Sequence, residues 1–231
     1  MLNMSDFELL TFDCYGTLVN WEAGIFFALK PVLAAHGMSI PDAKLLELYG
    51  EFEAETEAGD YRPYRDVLQA VVFAFGKELG FKPTEKEVQS LPHSVPSWRP
   101  WPDTVAALKR LASRYRLAII SNIDDEMFDA TRKHLPVDFA SVTTAQQARC
   151  YKPGLEIFRL ALGKTEIAPQ RILHVGQSIH HDVLPAQSLG LATVWVNRPS
   201  PRSGVGAVKK ADGRPDLEVP DLATLATRAG C

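Results

Sequence analysis

Four short polar clusters of this chain contain the side chains that could carry out chemistry. They read DCYGT at residues 13–17, SN at 121–122, YKP at 151–153 and GQSIHHD at 176–182. A carboxylate such as Asp13 can act as a nucleophile when it is held dry and aligned with an electrophilic carbon. Gly16 and Thr17 suit a tight turn whose hydroxyl orients that carboxylate. Singly, each cluster has an ordinary alternative, such as a strand-end carboxylate, a surface lysine or a turn cap, but together they favour one site.

The elements that must position these clusters alternate between short apolar runs and helix-like segments, which indicates an α/β fold with a parallel sheet. We expect strands at 7–13, 117–121, 139–143, 172–175 and 192–196. We expect helices at 104–115 after Asp103 as N-cap, at 126–134, at 155–162, and at 183–189 before Gly190 as C-cap. Polar groups at the carboxyl ends of parallel strands meet at one crevice. The four clusters should therefore converge.

Residues 21–96 interrupt this alternation. They contain helical patterns at 22–36, 42–58, 65–79 and 85–91 and no convincing strand. Consecutive helices between the first and second strands predict an inserted α-helical subdomain. The proline-rich stretch SLPHSVPSWRPWPD marks the return to the core, and the stretch 199–216 is expected to be a surface loop. We therefore predict a core of residues 1–20 and 97–231 and a helical cap of residues 21–96.

The four motifs together resemble those of the haloacid dehalogenase-like superfamily. The matching segments are LLTFDCYGTLV, IISNI, YKPGLEIF and ILHVGQSIHHDVLPAQSLGL, in the family's order and spacing. The helical insert after the first motif corresponds to the family's type 1 cap. The resemblance implies a Rossmann-like core, with Asp13 as nucleophile, Ser121 as the second-motif hydroxyl, Lys152 as the third-motif cation and Asp182 as the fourth-motif carboxylate.

Two departures set this chain apart from the magnesium-dependent phosphatases of that superfamily. Tyr15 stands where they carry a second aspartate as general acid, and a phenol with a pKa of about 10 suits that role poorly. Gln177 stands where they carry a magnesium-binding aspartate, and an amide offers no charge to a hard cation. The form DCYGT resembles the L-2-haloacid dehalogenases instead. That branch needs neither metal nor cofactor, and we expect none here.

The resemblance implies a two-step reaction on a short 2-haloalkanoate. Asp13, oriented by Thr17 and steadied by Lys152, displaces halide to form an ester, and a water positioned or deprotonated by Asp182 then releases a 2-hydroxy acid. Lys152 should keep the nucleophile ionised and leave Asp182 ready to accept a proton. We expect the remaining substrate contacts from Tyr15, Ser121, Asn122, Gln177, Ser178 and His181. A phosphatase with a degenerate magnesium site and a non-catalytic binding protein remain the alternatives.

Three parts of the dehalogenase pattern differ in this sequence. That branch uses an arginine early in the cap to grip the leaving halide, and the stretch KLLELYGEFEAETEAGD contains no arginine. Arg62 and Arg65 are the nearest substitutes. A tyrosine that is expected after the lysine motif is replaced by Phe158, and the fourth motif matches only loosely.

Composition limits the other classes of function. The net charge of −3 gives no basic surface for nucleic acid or anionic membrane. No apolar run is long enough to span a membrane, and the first residues do not read as a signal peptide. The three cysteines form no metal or disulfide pattern. We expect a cytoplasmic enzyme acting on a small molecule, with a homodimer as the favoured assembly.

Overall fold

The computed structural model describes residues 2–198, 206–207 and 211–231. In this part of the chain, six parallel strands form one sheet with the order β3-β2-β1-β4-β5-β6. The predicted α/β class is confirmed. The strands are β1 (Leu9–Phe12), β2 (Arg116–Ser121), β3 (Ser141–Thr144), β4 (Ile172–Gly176), β5 (Ala192–Val196) and β6 (Leu217–Val219).

The central strand β1 lies between β2 and β4. Every residue of β1 and β4 is buried, as expected when helices cover both faces of a parallel sheet. The clusters at 13–17, 121–122 and 176–182 directly follow β1, β2 and β4. Because these three strands are neighbours and parallel, the clusters lie side by side at the carboxyl edge of the sheet.

The five predicted strands are confirmed to within a few residues. The sixth, β6, was not predicted, because it is a three-residue edge strand that pairs only with β5. A segment of this length gives no alternation long enough to identify.

Helices of the core connect the strands after β2. The predicted helix at 155–162 is confirmed at its exact bounds. Gly190 has a left-handed φ of +78° and lies one residue beyond Leu189, the C-cap of the helix before it. Residues 179–183 form one turn of π-helix that was not predicted. The helices that follow the insert are α6 (Thr104–Ala112), α7 (Asp125–Arg132), α8 (Ala145–Ala148), α9 (Leu155–Leu162), α10 (Leu184–Ser188) and α11 (Leu222–Arg228).

The region between β1 and β2 is helical, as predicted. Its apolar faces are buried; on α3, for example, Val67, Leu68, Val71 and Phe75 lie on one stripe. The predicted helix at 85–91 is instead two short helices. We call residues 21–96 the helical insert; their assignment to a separate cap domain stays a prediction. Its helices are α1 (Trp21–Ala35), α2 (Asp42–Glu57), α3 (Tyr64–Leu79), α4 (Glu85–Val88) and α5 (Ser90–Ser94).

Asp103 is the N-cap residue of α6 by position, as predicted. Its side chain makes no capping hydrogen bond to α6. Its carboxylate instead accepts from the Arg198 guanidinium at 2.9 and 3.3 Å and from the backbone N–H of Leu222 at 2.8 Å. A long-range ion pair has taken the oxygens that a local cap would use.

Most of the predicted surface loop at 199–216 lies outside the described residues. Of the described part, Ala207 is buried, and its carbonyl lies so close to Gly50 on α2 that a side chain at Gly50 would collide with it. Across the described residues, no helix is long and apolar enough to cross a membrane.

Candidate active site

Asp13 follows the central strand and is buried, with its backbone N–H donating to the Val175 carbonyl at 3.0 Å. Thr17 Oγ1 donates to Asp13 Oδ2 at 2.6 Å and accepts from the backbone N–H of Gln177 at 2.8 Å. Gly16 makes this possible, because its φ of +99° lies in the region that favours glycine. The turn thus fixes one oxygen of Asp13 in place.

Lys152 is 2% exposed and lies between two carboxylates. Its Nζ donates to Asp13 Oδ1 at 2.8 Å, to Asp182 Oδ1 at 2.7 Å and to the Ile120 carbonyl at 3.0 Å. An ammonium group has three hydrogens, so all of them are used. Lys152 is therefore a fixed counter-charge, with no hydrogen left for a substrate.

Asp182 is held by more donors than Asp13. Besides Lys152, its Oδ2 accepts from the backbone N–H of Ser178 at 3.1 Å, and its Oδ1 lies 3.3 Å from His174 Nε2. Thr11 Oγ1 lies 2.9 Å from His174 Nδ1, so the hydroxyl can donate there and leave Nε2–H directed at the carboxylate. The π-helical turn at 179–183 brings Asp182 to this position.

These contacts set the ionisation of the three groups. Burial raises the pKa of Asp13, against the opposing effect of Lys152. Burial also acts to raise the pKa of Asp182, but Lys152 and His174 hold that pKa well below its usual range. Burial acts to lower the pKa of Lys152, and the two carboxylates raise it overall, so the ammonium persists. Lys152 and His174 thus favour the ionised form of Asp182, whereas the sequence predicted that Asp182 would be ready to accept a proton.

Asn122 lines the cavity, and its contact with a substrate stays a prediction. Its Oδ1 accepts from the backbone N–H of Lys152 at 2.7 Å, and its Nδ2 donates to the Lys152 carbonyl at 3.1 Å. The amide therefore orients the lysine segment. Ser121, by contrast, is fully buried, and its Oγ has no hydrogen-bond partner in the described part of the chain.

A cavity at this edge of the sheet collects most of the predicted site residues. Tyr15 contributes to its wall, while the phenol O–H is 2.7 Å from Thr131 Oγ1. Thr17 does not line the cavity and contacts the site through Asp13 Oδ2. The cavity is lined by Asp13, Tyr15, Trp21, Glu53, Glu57, Tyr64, Ser121, Asn122, Lys152, Gln177, Ser178, His181 and Asp182.

Arg62 and Arg65 do not line this cavity. The carboxylate of Asp124 accepts the backbone N–H groups of Tyr64 and Arg65, both at 2.9 Å, and so fixes the start of α3. With that orientation Arg62 is exposed and the Arg65 guanidinium lies 3.3 Å from Glu126 at the surface. The prediction that they grip a halide is not supported by this arrangement.

Sequence reasoning missed the acidic side of the cavity. Glu53 is buried on α2, and its Oε1 accepts from Tyr64 at 2.5 Å and from Tyr49 at 3.0 Å. Burial raises the pKa of Glu53 to about 7, although both tyrosine hydrogen bonds act to lower it. One signal was available, because Glu53 continues the buried stripe of Leu46 and Tyr49 at helical spacing.

The superfamily's magnesium ion does not fit the residues present. Gln177 occupies the position at which the phosphatases carry a magnesium-binding aspartate. The ammonium of Lys152 lies between Asp13 and Asp182. Across the described residues, no three His, Cys, Asp or Glu side chains are grouped to hold a metal. A divalent ion prefers a set of several oxygen ligands that includes carboxylates. The charge of Asp13 and Asp182 is already partly balanced by Lys152.

Comparisons with known proteins identify the family. A family model for haloacid dehalogenase-like hydrolases matches residues 7–190. An (S)-2-haloacid dehalogenase of Pseudomonas putida is 26% identical over 238 residues, covering 96% of this chain and 97% of that protein. A glyceraldehyde 3-phosphate phosphatase of Methanothermobacter thermautotrophicus is 33% identical over 192 residues, covering 80% and 84%.

Solved structures share the fold. The L-2-haloacid dehalogenase from Xanthobacter autotrophicus superposes with a TM-score of 0.79 at 21% identity, covering 96% of this chain and 97% of that one. An identity this low bears on the fold alone. With a family model that spans most of the sequence and a matching fold, this chain belongs to the haloacid dehalogenase-like hydrolases.

Proposed function

We propose that the protein hydrolyses the carbon–halogen bond of short 2-haloalkanoic acids without a metal ion. The observation that carries this proposal is the ammonium of Lys152, which lies 2.8 Å from Asp13 and 2.7 Å from Asp182. A fixed cation at that position balances the charge of the nucleophile. The (S)-2-haloacid dehalogenase of Pseudomonas putida is similar over nearly the whole chain.

The first step forms an ester. An oxygen of Asp13 attacks C2 of the substrate from the side opposite the halogen, the new C–O bond forms as the carbon–halogen bond breaks, and halide leaves with the bonding electrons. The leaving halide needs no proton. Tyr15 stands where the phosphatases carry their general-acid aspartate. Its phenol oxygen lies 2.7 Å from Thr131 Oγ1, and burial raises its pKa well above the usual value. Such a poor acid is compatible with a halide leaving group, which needs no proton, but is unsuited to an alkoxide leaving group, which does.

The second step releases the product. Water attacks the carboxyl carbon of Asp13, the bond from that carbon to the ester oxygen breaks, and the 2-hydroxy acid leaves with its new hydroxyl oxygen derived from Asp13. Ser121, with its free buried hydroxyl, is the strongest candidate to hold the substrate carboxylate. Of the two protons of the attacking water, one passes to the oxygen that leaves as the product hydroxyl, and the other is released to solvent as Asp13 returns to its carboxylate form. Asp182, which is paired with Lys152, helps to position the water.

The second candidate function is a phosphatase, which the 33% identical glyceraldehyde 3-phosphate phosphatase favours. One assay panel separates the two. Purified protein is incubated with L-2-chloropropionate plus EDTA, and separately with p-nitrophenyl phosphate plus magnesium, with Asp13→Asn as the control in both. We expect chloride release in EDTA that Asp13→Asn abolishes. Phosphate release that depends on magnesium, without chloride release, would overturn the proposal.

A further inference from the structure

The cavity has more negative than positive groups. Its described lining residues include four carboxyl groups but only one lysine and no arginine. Lys152 donates its three hydrogens to Asp13, Asp182 and the Ile120 carbonyl. The excess carboxyl groups are Glu53 and Glu57, which lie four residues apart on α2 and therefore on one face of that helix.

Neither of these two carboxyl groups has a cationic partner among the described residues. Glu53 accepts only from the tyrosine hydroxyls of Tyr49 and Tyr64, both through Oε1. Burial and the neighbouring Glu53 raise the pKa of Glu57 well above its usual value, with a smaller opposing effect from Lys152. Glu53 is buried and Glu57 is partly exposed, and a cation lying against both would favour their ionised forms.

The same cavity also contains hydrogen-bond donors that a negatively charged group would satisfy. Trp21 is 8% exposed, and its Nε1–H is buried without an acceptor among the described residues. Ser121 Oγ, which is fully buried at the end of β2, likewise has no partner. Buried donors without an acceptor cost free energy, and a ligand carboxylate would satisfy them. The cavity therefore offers hydrogen-bond donors for an anionic group. Glu53 and Glu57 on α2 offer acceptors for a cationic group.

We propose that Glu53 and Glu57 bind an ammonium group on the substrate chain, so that the preferred 2-haloacid is a zwitterion rather than a simple haloalkanoate. This inference rests on the proposed function for the identity of the reacting carbon. A single ammonium would pair with two carboxyl groups that otherwise repel one another. A substrate with a second anionic group, such as a 2-halodicarboxylate, would be excluded by the same charges.

Binding of unreactive probes tests this recognition without relying on turnover. Calorimetry compares 4-aminobutanoate, 5-aminopentanoate and 6-aminohexanoate with pentanoate, hexanoate and heptanoate, in which a methyl group replaces each ammonium. We expect at least one amino acid to bind about tenfold more tightly than its methyl partner. In Glu57→Gln that preference should fall to about twofold or less, because an amide has no charge to pair with the ammonium. Glu55→Gln, at an exposed position of the same helix, should keep the wild-type preference.

Equal binding within every pair, or no measurable binding of any amino acid up to about 10 mM, would overturn the inference. A kinetic arm separates this from the proposed function. Chloride release is measured from (S)-2-chloroheptanoate and (S)-6-amino-2-chlorohexanoate in EDTA. Release from both substrates at equal kcat/KM would contradict the ammonium site and leave the dehalogenase proposal standing. An ammonium preference in binding without chloride release from either substrate would support the site and contradict the dehalogenase proposal.

Discussion

The cavity has a core side, formed by Asp13, Lys152 and Asp182, and an insert side, formed by Glu53 and Glu57, and the two differ in how their charges are balanced. On the core side, Lys152 bridges Asp13 and Asp182 at 2.8 and 2.7 Å, and a threonine, a histidine and backbone N–H groups complete the network. On the insert side, Glu53 accepts only tyrosine hydroxyls and no described cation pairs with Glu57. The comparison indicates that the core side is organised before substrate arrives. The insert side is left for a ligand to complete.

Replacing Asp13 should have the largest effect on activity. In Asp13→Asn the nucleophile is lost while the side-chain volume is kept, so chloride release from a 2-haloacid should fall by about 10⁴-fold or more. Circular dichroism and thermal unfolding should show a folded protein. If Asp13→Asn kept a tenth of the wild-type rate, the core side would not be where covalent chemistry occurs.

Replacing Lys152 should damage both activity and stability. Lys152→Ala leaves two buried carboxylates without their cation, which should cost about 3–5 kcal/mol of unfolding free energy. The loss of fixed charge beside Asp13 should lower turnover by about a thousandfold. Urea unfolding and chloride release measure these effects, with Lys44→Ala, in the exposed pair with Glu47, as the control. Retention of most of the turnover would contradict the assigned role of Lys152.

The insert side should show itself in the pH dependence of stability. The pKa of Glu53 is raised from 4.5 to about 7 in the folded protein, so the folded state holds a proton that the unfolded state releases. Stability from this group is therefore full below about pH 4.5 and is lost as pH rises through 7. Glu53→Gln should remove up to about 3 kcal/mol of that decline.

Urea unfolding of wild type and Glu53→Gln at several pH values between these limits measures the difference between the two curves. Titrations common to both proteins, including those of Glu57 and Asp182, largely cancel in that difference. If the unfolding free energies of wild type and Glu53→Gln changed with pH in parallel, the pKa of Glu53 would not be raised by folding. That result would contradict the contrast between the two sides of the cavity.

Ser121 tests whether an unpartnered donor serves the substrate. Ser121→Ala removes a buried hydroxyl that has no hydrogen-bond partner, so stability should stay the same or rise slightly. The KM for a 2-haloacid should rise about tenfold. Thr143→Val is a matched control, because Thr143 Oγ1 is also buried and unpartnered but does not line the cavity. Equal KM values for the two variants would exclude Ser121 from substrate binding.

The smallest effect is expected for Arg65. Its guanidinium lies at the surface, 3.3 Å from Glu126, so Arg65→Ala should change kcat/KM by less than about twofold and stability by less than about 0.5 kcal/mol. Steady-state kinetics with L-2-chloropropionate measure the change. A hundredfold loss would show that α3 reaches the substrate in the working enzyme, which would restore the predicted halide role.

The core side was largely predictable from the sequence. Asp13, Lys152 and Asp182 follow segments whose order along the chain dictates that they meet at one edge of a parallel sheet. The insert side was not, because the exposure of Glu53 depends on how α2 packs against α3 rather than on local sequence. Arg65 was misplaced for a related reason, since Asp124, about sixty residues away, sets where α3 begins.

The central claim is that Asp13 forms a covalent bond to the substrate. The most direct test is a single turnover of a 2-haloacid in ¹⁸O-water, with enzyme in excess, followed by mass spectrometry of the peptide that contains Asp13. We expect the label in the Asp13 carboxylate and an unlabelled hydroxyl in the product, because water attacks the ester at the carboxyl carbon. Label in the product alone would mean that water attacks the substrate directly, and that Asp13 is not the nucleophile.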